Sequence, residues 1–168
     1  AVANQSTADL RWYLFGSNQF GGGVSNAHNG VMAYEHAYQG VEARKAYFFM
    51  GDAMVCMGSG IKAARTQEVR TSVNQCLANG EVTYGLSGHT YRLMDNLSDK
   101  KIDWAYHDNV GYIFPQNGSV TLRKAKQTGT WRELEVTASE QPVTKEVFSL
   151  WISHGTTPQN EDYCYIIM

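Results

Sequence analysis

Ala43-Arg-Lys-Ala-Tyr-Phe-Phe-Met-Gly-Asp-Ala-Met-Val-Cys-Met-Gly-Ser-Gly-Ile61 is the stretch whose reading decides the fold. Residues 46–50 and 54–57 are two continuous apolar and aromatic runs, and Gly51-Asp52 between them is turn chemistry. The pattern predicts a hairpin of two short strands. Runs apolar on both faces belong to strands covered on both sides, so this hairpin is expected deep in a layered β structure. Arg44-Lys45 before the first run and Gly58-Ser59-Gly60 after the second mark the expected ends of its buried part. A buried helix is the competing reading, but the Gly-Asp interruption leaves neither half long enough for a stable one.

The same short-strand rhythm runs outward in both directions. Upstream, Met32, Tyr34 and Tyr38 alternate with Val31, Ala33, Glu35 and Ala37, which predicts a strand over 31–38. Before it, Gly21-Gly22-Gly23 reads as a loop within 16–23, and residues 11–15 could form a first strand. Without a following helical pattern, the glycines are no phosphate cradle. Downstream, Val69, Thr71 and Val73 alternate with Arg70, Ser72 and Asn74, a half-buried strand. Asn79-Gly80 carries a type I′ turn signal. Residues 82–84 and 91–94 are short strand candidates, and Ile102, Trp104 and Tyr106 share a face. Residues 112–114 and 120–122, joined by Gln116-Asn117-Gly118-Ser119, read as the clearest hairpin. Alternation over 131–137 predicts another strand, and 147–152 and 163–167 two more. No helical period emerges. The chain is therefore expected to be all-β, a large antiparallel sandwich of roughly ten to twelve strands. Its expected organisation is a leading segment over 1–14 and one sandwich domain over 15–168.

Composition narrows the function classes. Of the 168 residues, 43% are apolar, which is globular, and 18% are charged, which is low. With 10 Tyr and 4 Trp, the surface of a β protein here is polar but weakly charged. A formal net charge of −2 gives no footprint for nucleic acid. No apolar stretch of about 18 residues is present, so no membrane span is expected. No basic n-region with an apolar h-region opens the chain, so no signal peptide is expected. Cys56, Cys76 and Cys164 are too few and too scattered for a disulfide framework. They read as buried thiols, with one Cys56–Cys76 or Cys76–Cys164 bridge left open.

The chemistry-bearing residues form no recognisable set. His28, His36, His89, His107 and His154 are not paired at ligand spacing with one another or with carboxylates, so no metal site is expected. His36 and His154 read as hydrogen-bonded structural histidines. Gly58-Ser59-Gly60 lacks the spacing of a nucleophile elbow. Glu133 and Glu135, on one face of the expected strand about 7 Å apart, would suit a carboxylate pair for glycoside hydrolysis. A solvated strand face beside Arg132 is the simpler reading. Exposed Trp or Tyr could also make the chain a free-standing carbohydrate-binding module.

Six groups of residues, taken together, carry a resemblance. They are Phe20-Gly-Gly-Gly-Val-Ser25 with Gly30-Val-Met-Ala33; the 43–61 stretch with Val69, Thr71 and Asn74-Gln75; Asp103-Trp104 with His107-Asp108; Gly111-Tyr-Ile-Phe-Pro115; Gln127, Gly129 and Trp131; and Phe148, Leu150-Trp-Ile152, His154-Gly155, Pro158, Tyr163 and Tyr165-Ile166. In this order they resemble the central β-sandwich, of supersandwich type, of the family 8 polysaccharide lyases, over about residues 15–168. The resemblance implies a secreted or periplasmic enzyme that cleaves an acidic, uronate-containing polysaccharide such as chondroitin or hyaluronan by β-elimination. It also implies an α/α toroid and a C-terminal β domain as partners in the parent protein, with the Asn, His, Tyr and Arg of the chemistry on the toroid. A supporting Glu in a Gly-Glu-Asn motif has no counterpart here. The family's catalytic residues therefore map onto none of this chain. No cofactor is expected, and a bound cation stays open. The family's cleft lies against the sandwich, and the expected substrate-facing residues are Asn26, His28 and Asn29 in the loop 25–29, with Arg11 and Trp12 nearby. The plainer alternative is that this loop only packs against the toroid.

Overall fold

The computed structural model describes residues 18–116 and 118–168. The expected strands 11–15 and the leading segment 1–14 lie outside them. Among the described residues thirteen strands follow one another: β1 (Gly21–Ser25), β2 (Asn29–Tyr38), β3 (Val41–Met50), β4 (Ala53–Ala63), β5 (Arg70–Leu77), β6 (Val82–Leu86), β7 (His89–Arg92), β8 (Asn96–Lys100), β9 (Trp104–His107), β10 (Val110–Ile113), β11 (Ser119–Gly129), β12 (Val143–Ser153) and β13 (Glu161–Ile167). They form two antiparallel sheets. One has nine strands in the order β1-β2-β3-β4-β13-β10-β9-β6-β7, the other four in the order β5-β12-β11-β8. The only helical turn among the described residues is a 3-10 turn, Trp131–Glu133. The all-β sandwich is the fold expected.

The 43–61 stretch forms the β3–β4 hairpin. Met50 pairs with Ala53 across a two-residue turn, and Gly51 takes φ +56° there, a conformation open to glycine at little cost. Both strands run past their expected ends. At the far end, a Cβ on Gly58 would stand 2.1 Å from the Tyr163 ring, so the glycine marks where β13 lays an aromatic ring on β4. The hairpin is not covered on both sides. Cys56 and Ile61 face the four-stranded sheet and are buried, while Phe48, Met50 and Met57 point the other way and stay 37–48% exposed. Four strands cannot cover nine.

The core lies between the sheets. Val120, Leu122, Phe148 and Leu150 from β11 and β12 meet Cys56, Val82, Ala105, Tyr112 and Tyr165 from the larger sheet. Each fully buried aliphatic or phenyl side chain contributes about 1.5–3 kcal/mol through removal from water.

Four expectations are corrected. The stretch 112–122 is no hairpin, because β10 is flanked by β9 and β13 and the chain crosses to the other sheet through Pro115. Asn79-Gly80 is likewise a crossing between sheets, whereas Gln39-Gly40, Ser87-Gly88 and Asp108-Asn109, with φ positive at both positions, make the tight hairpins. Residues 131–137 are not a strand. The Thr130 N–H donates to Glu133 Oε1 (3.2 Å) and the Leu134 N–H to the Trp131 carbonyl (3.0 Å), so capping chemistry wins over alternation. Finally, Gly21-Gly22-Gly23 is part of an edge strand, where a Cβ on Gly23 would meet the Val31 carbonyl at 2.6 Å.

Candidate functional site

The turn between β1 and β2 brings Asn26, His28 and Asn29 together. Asn26 Oδ1 accepts the N–H groups of Asn29 (2.8 Å) and His28 (3.2 Å), and the Asn26 N–H donates to the Asn29 carbonyl (3.0 Å). This closes the turn while Ala27 sits at φ 71°. The Asn26 carbonyl is therefore committed to the fold. Its amide and the His28 imidazole sit on an exposed turn. Asn29 already belongs to β2, opposite Met50. Arg11 and Trp12 lie outside the described residues.

A second surface, absent from the sequence-based expectation, lies on the face of the larger sheet turned away from the core. Here Ala33 and Ala46 are paired across β2 and β3, and Ala46 pairs with Met57 of β4. The two small side chains floor a cleft of about 350 Å³ walled by Phe48 and Met57. Glu35 and Arg44 stand directly opposite one another at its rim. Arg44 lies over Gly60, where an added Cβ would stand 3.3 Å from its Nη2. Among the described residues Arg44 is in none of the ion pairs, which join Lys62–Glu42, Arg70–Glu68, Arg92–Glu81, Lys124–Glu146 and Arg132–Glu140. The cleft can therefore present a planar cation beside an apolar wall, the chemistry that holds a carboxylate-bearing ring. The signal was in the quoted stretch: strands apolar on both faces offer apolar surface wherever cover is missing.

Several other titratable groups are bound into the interior. Burial, then the Tyr34 hydroxyl beside it, pushes Tyr47 up to about 12. Tyr163 and Tyr165 are pushed higher still, chiefly by burial. All three stay protonated near neutral pH, so none offers a tyrosinate as base. His154 Nε2 lies 2.8 Å from Thr71 Oγ1 in a buried pair, and burial, with Lys45 nearby, holds its pKa below the usual histidine value. This is the structural histidine expected. His36 is also lowered, by burial and then Lys45. Glu133 caps Thr130, and Glu135 Oε1 accepts from the N–H (3.1 Å) and Oγ1 (3.0 Å) of Thr137. The two carboxylates serve separate turns and do not share a strand face. All three cysteines are free, which closes the question of a bridge.

Among the described residues no three His, Cys, Asp or Glu side chains lie close enough to hold a metal ion. Among the described residues no helix is long and apolar enough to cross a membrane.

The sequence matches the family described as polysaccharide lyase family 8, super-sandwich domain, over residues 2–168. It is 36% identical over 163 residues to a chondroitinase-AC of Pedobacter heparinus, covering 94% of this chain and 22% of that protein. A solved chondroitinase AC lyase, studied as oligosaccharide complexes, superposes with a TM-score of 0.82 at 34% identity, covering 89% of this chain and 22% of that one. A chondroitin AC lyase of Streptomyces coelicolor, solved with chondroitin sulphate, gives 0.69 at 27%, covering 89% and 19%. This chain thus spans about a fifth of the length of these relatives.

Proposed function

Because this chain belongs to polysaccharide lyase family 8, as its super-sandwich domain, we propose that it is the scaffold of a lyase that cleaves uronate-containing glycosaminoglycan by β-elimination. In that reaction a base removes the C5 proton of the uronate, the C4–O bond breaks, and a C4–C5 double bond forms. The proton balance closes when an acid protonates the leaving oxygen. The uronate carboxylate must be neutralised to acidify C5. The observation that carries the reading is the match along residues 2–168 combined with the state of the interior acids and bases. The buried tyrosines are pushed up and the buried histidines down, and His107 and His154 are already engaged by Asn79 and Thr71, which suits a packing role.

In this reading the base and acid stand on a helical domain of the parent protein, outside residues 1–168. The sandwich supplies a rigid wall to the cleft, with Asn26, His28 and Asn29 at one turn and Arg44 beside Phe48 on the outward face. The substrate is a polymer handled outside the cytoplasm, hence a secreted or periplasmic protein. The test is ultraviolet absorbance of the unsaturated uronate with chondroitin or hyaluronan as substrate. The 168-residue chain alone is expected to release none, and the parent protein with its helical region to release it readily. Unsaturated product from the chain alone would overturn the assignment of chemistry to the missing part.

A free-standing carbohydrate-binding module is the second reading, favoured by the Arg44–Phe48 cleft alone. Saturable quenching of Trp fluorescence by chondroitin, lost in Arg44→Ala, would support it. A flat titration disposes of it.

A further inference from the structure

We propose that His107 is an acid-sensitive clasp between the two sheets, closing the β5–β6 crossing only while its imidazole is neutral. His107 ends β9 in the larger sheet and is 1% exposed. Its ring lies 4.5 Å, centroid to centroid, from Phe148 of the smaller sheet. Nε2 accepts the backbone N–H of Asn79 (3.0 Å), and Nδ1 faces Cys76 Sγ at 3.7 Å. An acceptor of a backbone N–H carries no proton, so the neutral ring holds its one proton on Nδ1, toward the sulfur. A second proton could enter only at Nε2. It would set two N–H donors against each other inside the sandwich.

The residue lost from the clasp would be Asn79, which has two grips. Besides its backbone bond, Asn79 Nδ2 donates to Asp108 Oδ1 (2.9 Å), in the turn that follows β9. Asn79-Gly80 is the covalent crossing from β5, an edge strand of the smaller sheet, to β6 in the larger. Releasing Asn79 loosens the end of an edge strand, leaving the Ala78 N–H on the Glu146 carbonyl (2.9 Å) and Lys124 on the Gly80 carbonyl (3.0 Å) to hold it.

The charged and titratable groups around the ring come from each element packed on it. Asp108, on the β9–β10 turn, favours the protonated ring. Lys124 of β11 opposes it, and itself binds the Gly80 carbonyl (3.0 Å) and pairs with Glu146 of β12 at 3.5 Å. Cys76 of β5 and Tyr112 of β10 are both held protonated, chiefly by burial. Phe148 adds a ring and no charge. Burial outweighs Asp108 and lowers the His107 pKa from 6.5, in agreement with the geometry. Because the open form takes up one proton, its population rises about tenfold per pH unit below the usual histidine range.

The test is nuclear magnetic resonance on the whole 168-residue chain from pH 8 to 4.5. Long-range proton–nitrogen spectra read the His107 tautomer, and the Asn79 amide reads the clasp. The expected result is an Nδ1–H tautomer at pH 8 and a His107 midpoint below 6.5. The Asn79 amide is expected to shift with the same midpoint while amides of Thr128 and Thr144, at the far end of the histidine-free β11–β12 pair, hold still. His107→Gln, whose amide oxygen can still accept from Asn79, is expected to remove that midpoint. If the variant does not fold, the wild-type titration decides alone. An Nε2–H tautomer at pH 8, an Asn79 amide indifferent to the His107 titration, or global unfolding before His107 titrates would each overturn the proposal.

Discussion

Truncating Phe148 to alanine removes the ring that joins the two halves of the sandwich. Phe148 is fully buried on β12, with its centroid 4.5 Å from His107 and 6.4 Å from Tyr112 of the opposing sheet. The position is flanked by Leu122 and Leu150, also buried in strands whose backbone pairing resists collapse into the gap. A Phe→Ala change of this kind costs about 3–5 kcal/mol, the transfer of the ring plus the cavity left behind. For a chain of this size each kcal/mol lowers Tm by about 2–4 °C, so a fall of about 6–20 °C is expected. Thermal melts followed by far-ultraviolet circular dichroism at pH 7.5, with urea titrations at an unchanged m, measure it. The pH keeps His107 neutral, so the clasp stays closed. Phe148→Leu leaves a smaller void and is expected to lose less. A loss below about 1 kcal/mol for the alanine variant would mean that Phe148 is no bridge between the sheets.

Gly58→Ala places a Cβ 2.1 Å from the buried ring of Tyr163. Overpacking of about 1–3 kcal/mol is expected in the urea midpoint, whereas Gly22→Ala, with nothing within 4 Å of the added atom, stays within about 0.5 kcal/mol. The stability–pH profile follows from His36, His107 and His154, each lowered chiefly by burial. The unfolded chain takes up these protons first, so their contribution is full above about pH 6.5 and is lost as pH falls. The expected slope below that point is about 1.4 kcal/mol per pH unit for each histidine, until its folded pKa is reached. His154→Gln, melted at pH 7.5 and 5.5, is expected to show a smaller difference than the wild type, and an unchanged difference would refute the assignment.

The strands of the β3–β4 hairpin were legible because Gly51-Asp52 separates two runs too short for helix. What lay beyond those runs was not. Gly58 reads as an end in sequence, yet in space it is the seat of Tyr163, a partner more than a hundred residues away. Turn chemistry near Asn117 and at Asn79-Gly80 announced that the chain reverses, but a turn does not name the next strand's neighbour, and both links cross between sheets. At 131–137 the alternation of apolar and polar residues competed with a Thr130–Glu133 capping pair, and the local hydrogen bonds won. The turn holding Asn26, His28 and Asn29 was found, while Arg44 was read only as a boundary. Its exposure depends on which face the smaller sheet leaves bare, and no single strand encodes that.

The bare face itself has a pattern. Residues paired in register across the larger sheet run Val24–Val31–Phe48–Val55–Ile166–Ile113–Trp104, one from each of seven adjacent strands, all on the side away from the core. An antiparallel sheet meant for water on that side would alternate polar residues there. Lys62, Glu42, Glu35 and Arg44 supply such residues at one end of β2 to β4, but the row across the middle carries none. Contiguous apolar surface on this scale marks an interface. With this chain spanning about a fifth of its relatives' length, the arrangement supports the proposed scaffold role. In the proposed reading, a layer with its own core on one face and an apolar row on the other is pressed against more protein. The same row argues against a solitary binding module, whose outer face would have to be polar to stay dispersed. The Glu35–Arg44 end of the sheet combines charge with the apolar wall that Phe48 begins, which is why the proposed substrate contact is placed there.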